Sequence, residues 1–181
     1  MRIPDDGHRA SYPVVTMDEF AEFYADRKDA VLRAVVVATG NRSTAEDAVA
    51  EAFTRACARW EAVRQHPNPT AWVVRTALNA QRSWWRRLVR EVPGRLPEQA
   101  AGPAPDELSA ELRRLVEQLP RRQREVVALR LLADLSAEET AGLLRIAPAT
   151  VHVHLHRALA TLRDRLSADG EPVLHRAKEE L

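Results

Sequence analysis

Apolar residues in the first part of this chain recur at intervals of three and four, which places them on one face of a helix. The first set ends before Gly40 and consists of Phe20, Phe23, Tyr24, Val31, Val35 and Ala38. Ser43 and Glu46 then have the spacing of a capping box and predict the start of a second helix. Its apolar face consists of Ala45, Val49, Ala52, Phe53, Ala56 and Trp60. No segment alternates apolar and polar residues as a strand would, so the sequence predicts an all-α fold.

Prolines mark the next boundaries. The segment 66–69 (His-Pro-Asn-Pro) is unsuited to a helix interior, because proline lacks an N–H and clashes with the preceding turn. Thr70 is the predicted N-cap of a third helix that runs to about Arg90 and turns Trp72 toward the core. From Glu91 to Pro105, four prolines and two glycines predict an extended linker.

The second half repeats the helical pattern. Asp106 is a predicted N-cap, Pro120 is the predicted first residue of a helix, and Ser136 with Glu139 forms a second predicted capping box. Residues 145–147 predict a tight turn before a long helix that Pro148 begins. The buried face expected for that last helix consists of Val151, Leu155, Ala158, Leu159 and Leu162.

These elements predict two small helical domains in a chain of 181 residues. The predicted parts are an N-terminal extension 1–16, a first domain 17–91, a linker 92–105, a second domain 106–167 and a tail 168–181. Each domain is small enough that its core is expected to need a partner. Within the second domain, residues 136–162 have the short helix, tight turn and long helix of a helix-turn-helix. A helical hairpin without DNA contacts fits this pattern as well.

The formal net charge of +1 is a poor guide to binding, because basic and acidic residues are concentrated in different segments of the chain. Residues 64–95 contain seven arginines and one acid, whereas residues 98–109 contain three acids and no base. Nucleic-acid binding depends on such local charge rather than on the sum. Within the basic stretch, arginines alternate with Trp72, Trp84 and Trp85, as suits a groove that tracks phosphates and stacks bases. A solvated arginine face on an amphipathic helix is the alternative explanation.

Several other chemistries find no support in the sequence. The chain has no phosphate-binding glycine loop, no nucleophile elbow and one cysteine, Cys57, which is expected to be a buried thiol. In a helix only His152 and His156 of the histidine-rich segment share a face, so no metal site is expected. We therefore expect no enzyme activity and no cofactor. Because no apolar run reaches about 18 residues and no signal peptide is evident, a cytoplasmic location is expected.

Three stretches, in this order, carry a family resemblance. They are residues 45–56 (AEDAVAEAFTRA), residues 69–79 (PTAWVVRTALN) with the arginine-rich run after it, and residues 119–127 (LPRRQREVV) continuing through Ala141, Thr150-Val151 and His156-Arg157-Ala158. Over about residues 17–166 the chain resembles a bacterial sigma factor of the sigma-70 family, extracytoplasmic-function (ECF) group. The resemblance implies binding to core RNA polymerase and promoter-specific initiation of transcription.

The resemblance also implies site residues and partners. Docking on the clamp of the largest polymerase subunit would use Asp47, Glu51, Phe53 and Arg55. Capture of the −10 element would use Asn68, Thr70, Arg75, Asn79, Arg82, Trp84, Trp85, Arg86 and Arg87. Reading of the −35 duplex would use Ala149, Thr150, His152, Val153, His154, His156 and Arg157. The implied partners are the clamp and flap of core RNA polymerase, promoter DNA and an anti-sigma factor.

The chain departs from the family pattern at several positions. Ala50 replaces a usual glutamine of the polymerase-binding face, Arg145 replaces the usual turn glycine, and Ala147 lacks the usual capping oxygen. His152 and His154 stand where longer cations are common, so no −35 sequence is predicted. A stand-alone helix-turn-helix regulator that acts without core polymerase is the competing hypothesis. It predicts tight, symmetric operator binding by the protein alone.

Overall fold

A computed structural model describes residues 14–91 and 110–169, and their side chains over 17–83 and 111–167. All regular structure in these ranges is helical, which confirms the predicted all-α fold. The N-terminal helices are α1 Val14–Thr39, α2 Arg42–Ala58, α3 Trp60–Val63 and α4 Pro69–Glu91. The C-terminal helices are α5 Ala110–Glu117, α6 Arg121–Val127, a π-helical turn Ala128–Leu132, α7 Ala137–Leu144 and α8 Pro148–Asp169. None of the described helices is long and apolar enough to cross a bilayer.

Gly40 ends α1 as predicted, but the capping box predicted for Ser43 and Glu46 is wrong. Gly40 adopts φ 74° and donates its N–H to Val36 O at 2.7 Å. The N-cap of α2 is Asn41, whose side chain accepts the Thr44 N–H at 3.0 Å. Since Asn41 follows the turn directly and is among the strongest N-cap residues, the helix begins two residues earlier than the sequence pattern indicated.

The N-cap predicted for the next long helix is also displaced. α2 ends at Ala58, and Trp60 lies in the separate single turn α3. α4 begins at Pro69, and Asn68 Oδ1 accepts the Ala71 N–H at 3.0 Å, so Asn68 and not Thr70 caps the helix. Thr70 is buried at 8% exposure. Proline at the first helical position has no N–H to satisfy, which explains why the helix starts there.

The starts and caps of the C-terminal helices largely agree with those predicted from the sequence. Pro120 precedes α6 rather than opening it, and its carbonyl accepts the Arg124 N–H at 3.0 Å. The second capping box is confirmed, since Glu139 N–H donates to Ser136 Oγ and Ser136 N–H donates to Glu139 Oε2. The π-helical turn was not predicted. The predicted N-cap Asp106, the linker and the tail after Asp169 lie outside the described residues.

The turn between α7 and α8 is the tight turn that the sequence predicted. Arg145 follows α7 in the left-handed conformation, at φ 56° and ψ 50°, so it occupies the backbone position usual for glycine at a cost. The next residue, Ile146, donates its N–H to Ala141 O at 3.1 Å, as in a Schellman ending. α8 then begins at Pro148, and the Ala147 carbonyl accepts from Thr150 at 2.9 Å.

Helix α1 joins the two halves of the described chain into one core. It packs on α2 and α4, and also on α6 and the π-helical turn. Val31 and Val35 of α1 therefore share one cluster of buried residues with Val126 and Leu129. A second, smaller cluster links α5, α6 and α8. The partner that each small core needs is supplied, in this structure, by the other half of the same chain.

Several predicted core positions are wrong or only partly right, and Leu155 is one of them because it is half-buried. Leu159 is 38% exposed, because it lies at the edge of the α8 stripe where α5 and the π-helical turn leave an opening. Tyr24 is 43% exposed, although its ring packs edge-on to Phe53 at 5.0 Å. Cys57 is half-buried rather than buried. Each lies beside a buried stripe, where the helical pattern does not fix which neighbour covers it.

Candidate nucleic-acid interface

Helix α8 presents one uncovered face along its first two and a half turns. The exposed residues on it fall at the i, i+3, i+4, i+7 and i+8 positions of a single helical face. They are Ala149, His152, Val153, His156 and Arg157. Thr150 and His154 are half-buried on its two flanks, and Val151 and Ala158 are fully buried beneath. All seven residues of the predicted −35 set therefore lie on α8, where five form the exposed face and two border it.

Helix α7 holds this face in position. Its buried Ala141 and Leu144 lie in the same core as Val151 of α8, and the small side chain of Ala141 allows the two helices to approach closely. The arrangement is that of a helix-turn-helix, with the second helix free to enter a major groove. The exposed face is also chemically mixed, since Val153 is 46% exposed among imidazoles and a guanidinium. An apolar side chain there suits a thymine methyl, and the cations suit phosphates or base edges.

Glu138, at the start of α7, belongs to this surface and was not predicted from the sequence. Hydrogen bonds from its own backbone N–H and from Ser136 hold the pKa of its carboxyl below the usual range, and His152 and Arg130 act in the same direction electrostatically. The carboxylate therefore stays charged beside the recognition helix. The residue was missed because its role depends on the approach of α7 to α8, which no local pattern contains.

Helix α4 carries a second exposed polar face. Arg75, Asn79 and Arg82 are exposed and spaced by four and three residues, so they form one stripe along the helix. The opposite side is buried through Val73, Val74, Ala77 and Leu78. Trp72 is half-buried and packs against the core, which agrees with its predicted orientation. The side chains of the predicted residues Trp84, Trp85, Arg86 and Arg87 lie outside the described part of the structure.

The loop before α4 is ordered by its own hydrogen bonds. Asn68 uses its side-chain oxygen to cap α4, and its backbone N–H lies 3.0 Å from His66 Nδ1. Thr70 is buried beneath the surface, so the structure separates it from the exposed residues of the predicted −10 set.

Helix α2 presents an acidic face next to α4. Asp47 and Glu51 are exposed and line a shallow cavity of about 70 Å³ together with Thr44, Ala48, Ala80 and Gln81. Glu51 is paired with Arg55, and Gln81 Nε2 donates to Thr44 Oγ1 at 3.2 Å across the two helices. Asp47, Glu51 and Arg55 therefore form a continuous exposed set on α2.

Phe53 does not belong to that exposed set. It is 3% exposed and lies within an aromatic cluster, with the Tyr24 ring at 5.0 Å and the Phe23 ring at 6.1 Å. Its ring therefore fixes α2 on α1 from below. Among the residues that the structure describes, no group of three or more histidine, cysteine, aspartate or glutamate side chains could hold a metal ion.

Comparison with known proteins agrees with this architecture. Residues 23–91 match the sigma-70 region 2 family, and residues 109–162 match the sigma-70 region 4 family. The RNA polymerase sigma-E factor of Streptomyces coelicolor is 36% identical over 154 residues, which cover 83% of this chain and 87% of that protein. The ECF RNA polymerase sigma factor EcfG of Rhodopseudomonas palustris is 31% identical over 151 residues, which cover 77% and 81%. The sigma factor RpoE of Bartonella quintana, solved with the anti-sigma factor NepR, has a similar fold, with a TM-score of 0.69 at 22% identity over 84% of this chain and 99% of that one.

A helix-turn-helix with an open recognition face, in the same chain as a helical bundle with a cationic helix, defines a DNA-binding transcription protein. The chain belongs to the sigma-70 family of RNA polymerase sigma factors, in the ECF group. Its function is to direct RNA polymerase to promoters, and the stand-alone regulator is not favoured.

Proposed function

We propose that three exposed surfaces divide the work of promoter recognition between them. The acidic face of α2 binds core polymerase, the start of α4 and its polar stripe take up the −10 strand, and the open face of α8 reads the −35 duplex. The single observation that supports this division best is the five-residue open face of α8, which has the position and width for a major groove. The protein acts through binding, without catalysis of its own, in the cytoplasm where polymerase works.

The polymerase contact rests on charge and on exposure. Asp47 has no ion-pair partner among the described residues, and it lies beside Glu51 on a face that the other described residues leave open. A basic surface on the partner would complement this face electrostatically, which favours fast and oriented association. Phe53 supports the contact indirectly, by holding α2 in place. A second contact, between the C-terminal helices and the polymerase flap, completes the proposed complex.

The −10 interaction rests on the stripe along α4. Arg75 and Arg82 are about 10 Å apart along the axis at 1.5 Å per residue, with Asn79 between them. Guanidinium groups at this spacing can follow a phosphate backbone, and the amide of Asn79 can bond a base edge. The tryptophans farther along the helix are proposed to stack unpaired bases. Such stacking contributes about 1–3 kcal/mol per base and offsets the cost of opening the duplex.

An anti-sigma partner is proposed from the relatives. The structures of similar fold include sigma factors solved with anti-sigma proteins, such as RpoE with NepR and CnrH with the cytosolic domain of CnrY. The proposed partner would act by covering one of the exposed surfaces. Pull-down with the intact chain as bait, repeated in the presence of excess core polymerase, tests it. Competition between the two ligands is the expected result.

The decisive experiment is run-off transcription with purified core polymerase on genomic fragments. The expected result is a set of discrete transcripts that appear only when the protein and core are both present. Specific operator binding by the protein alone, with no transcripts, would instead support the stand-alone regulator.

Two pairs of variants assign the surfaces. Asp47→Ala should weaken binding to core polymerase, whereas replacement of Glu22, an exposed acid on α1, with alanine should not.

The double variant of Arg75 and Arg82 to alanine should lower the salt slope of promoter-complex formation by about 1.4, since each phosphate contact on a single strand contributes about 0.7. Arg27→Ala on α1 is the matched control. An unchanged slope would mean that the α4 arginines are only solvated.

A further inference from the structure

The C-terminal helices leave a wide apolar groove that lies outside the faces of α2, α4 and α8 described above. Its volume is about 620 Å³, and it is lined almost entirely by aliphatic side chains. Leu131 is 53% exposed there, Leu159 38% and Leu166 43%. The lining comes from α5, α6, the π-helical turn and α8. We name it the α5–α8 groove, after its main residues Leu112, Val116, Leu131, Leu159, Leu162 and Leu166.

The π-helical turn helps to create this groove. The turn widens the backbone so that Ala133 N–H bonds to Ala128 O, five residues back, at 3.1 Å. Within it Leu129 is 1% exposed while Leu131 points into the open groove. Exposed leucines on several elements around one groove are unusual on a protein surface unless something covers them.

We propose that the groove is covered by the chain's own residues 170–181, folded back along α8. The described part of α8 ends at Asp169, less than one turn after Leu166 and Ser167, which line the groove. Gly170 and Pro172 then have the spacing of a helix stop, in which a glycine reverses the chain and a proline prevents continuation. A reversal at Gly170 directs the following residues back beside α8.

The pattern of residues 170–181 fits this position. Val173, Leu174, Ala177 and Leu181 fall on one face of a helix, and the remaining side chains after Pro172 are charged or histidine. Residues 173–181 as a helix would extend about 13 Å, and the groove-lining part of α8, from Leu159 to Leu166, extends about 10 Å. The two apolar faces therefore match in length.

Charge favours the same occupant. Arg163 lines the groove, and it has no ion-pair partner among the described residues. The tail offers Glu179 and Glu180 near its end, which would lie close to Arg163 once the chain has reversed. A short tether also gives the tail an effective concentration in the millimolar range, well above that of a second copy in dilute solution. The proposal does not depend on the promoter-binding assignments.

Cross-linking in the full chain tests the proposal. In a Cys57→Ser background, cysteines replace Leu131 in the groove and Leu174 in the tail, and a short bismaleimide is added. The expected product is a cross-linked monomer, formed about 10-fold faster than with the control pair Met17→Cys and Leu174→Cys, because tethering favours the nearer partner. Met17 is similarly exposed but lies on α1, outside the groove.

A second measurement guards against effects of the cysteines. Deletion of 170–181, and separately Leu174→Asp in the full chain, should raise the fluorescence of a bound hydrophobic dye several-fold without changing helix content. Leu131→Ser should reverse that rise, whereas Met17→Ser should not. A cross-linked dimer would overturn the proposal in favour of a second copy. Dye binding that is unchanged by deletion or by Leu174→Asp would overturn it in favour of an open groove or of a cover by the linker.

Discussion

The backbone of Arg145 gives a direct test of how the turn between α7 and α8 is held. Arg145 is exposed, adopts φ 56° and ψ 50°, and its side chain makes no hydrogen bond or ion pair with the described residues. The free-energy cost of Arg145 at this position therefore comes from its backbone conformation, because Cβ approaches the following carbonyl oxygen in the left-handed region. Replacing Arg145 with glycine should remove this cost and keep the turn.

The expected gain follows from two opposing terms. The left-handed conformation costs a residue with a Cβ about 1–2 kcal/mol. Replacing arginine with glycine also makes the unfolded chain more flexible, which lowers the free energy of unfolding by about 0.4–1 kcal/mol. Arg145→Gly should thus raise the free energy of unfolding by about 0.5–1 kcal/mol, or shift Tm by about 1–4 °C for a chain of this size.

Urea and thermal unfolding of three proteins measure this effect: the wild type, Arg145→Gly and Arg145→Ala. The alanine variant removes the long side chain but keeps Cβ, so the difference between the two variants isolates the backbone. The glycine variant should be more stable than the alanine variant by about the same 0.5–1 kcal/mol. If glycine is no better than alanine, the left-handed backbone at Arg145 carries no cost and the reasoning is refuted.

Three further predictions concern the cap, the core and the recognition face. Ala147→Ser supplies the missing capping oxygen of α8 and should stabilise the protein by about 1 kcal/mol in urea unfolding, an effect that Ala147→Val should not reproduce. Leu129→Ala should cost about 2–5 kcal/mol and leave a single transition, because Leu129 lies in the core that α1 shares with the C-terminal helices; separate transitions for the two halves would contradict a shared core. Affinity for a −35 duplex should fall in the double variant His152→Ala with His156→Ala, because both side chains lie on the open face of α8 and imidazoles there can bond phosphates or base edges. Unchanged affinity of this double variant, measured at fixed salt and pH, would refute a role for the two imidazoles in duplex binding.

Local signals predicted some elements well and others poorly. The Ser136–Glu139 box and the turn before Pro148 are confirmed, since every atom involved lies within a few residues. The same argument was wrong at Ser43, because Asn41 competes as a cap and follows Gly40 directly. A spacing rule identifies possible caps, and the turn that enters the helix decides which one is used.

Among the candidate site residues, the family resemblance named those that the structure exposes together on the open face of α8 and in the stripe on α4. It also placed Phe53 on the polymerase-binding surface, although the helical pattern put Phe53 on the apolar face of its helix, and the structure shows it 3% exposed beneath that surface. It gave no indication of Glu138, which gains importance only through the approach of α7 to α8. Both outcomes depend on which neighbouring helix covers a given side chain.

The sequence by itself determined that the chain is all-helical, where most helices lie, and that the basic stretch and the helix-turn-helix belong to one family. These features follow from spacing and local chemistry. Only the tertiary structure decided that α1 joins both halves through Val35 and Leu129, and that Leu131 and Leu159 line an open groove. The physical reason is that periodicity fixes the direction of a side chain relative to its own helix axis, whereas burial depends on the position of another helix.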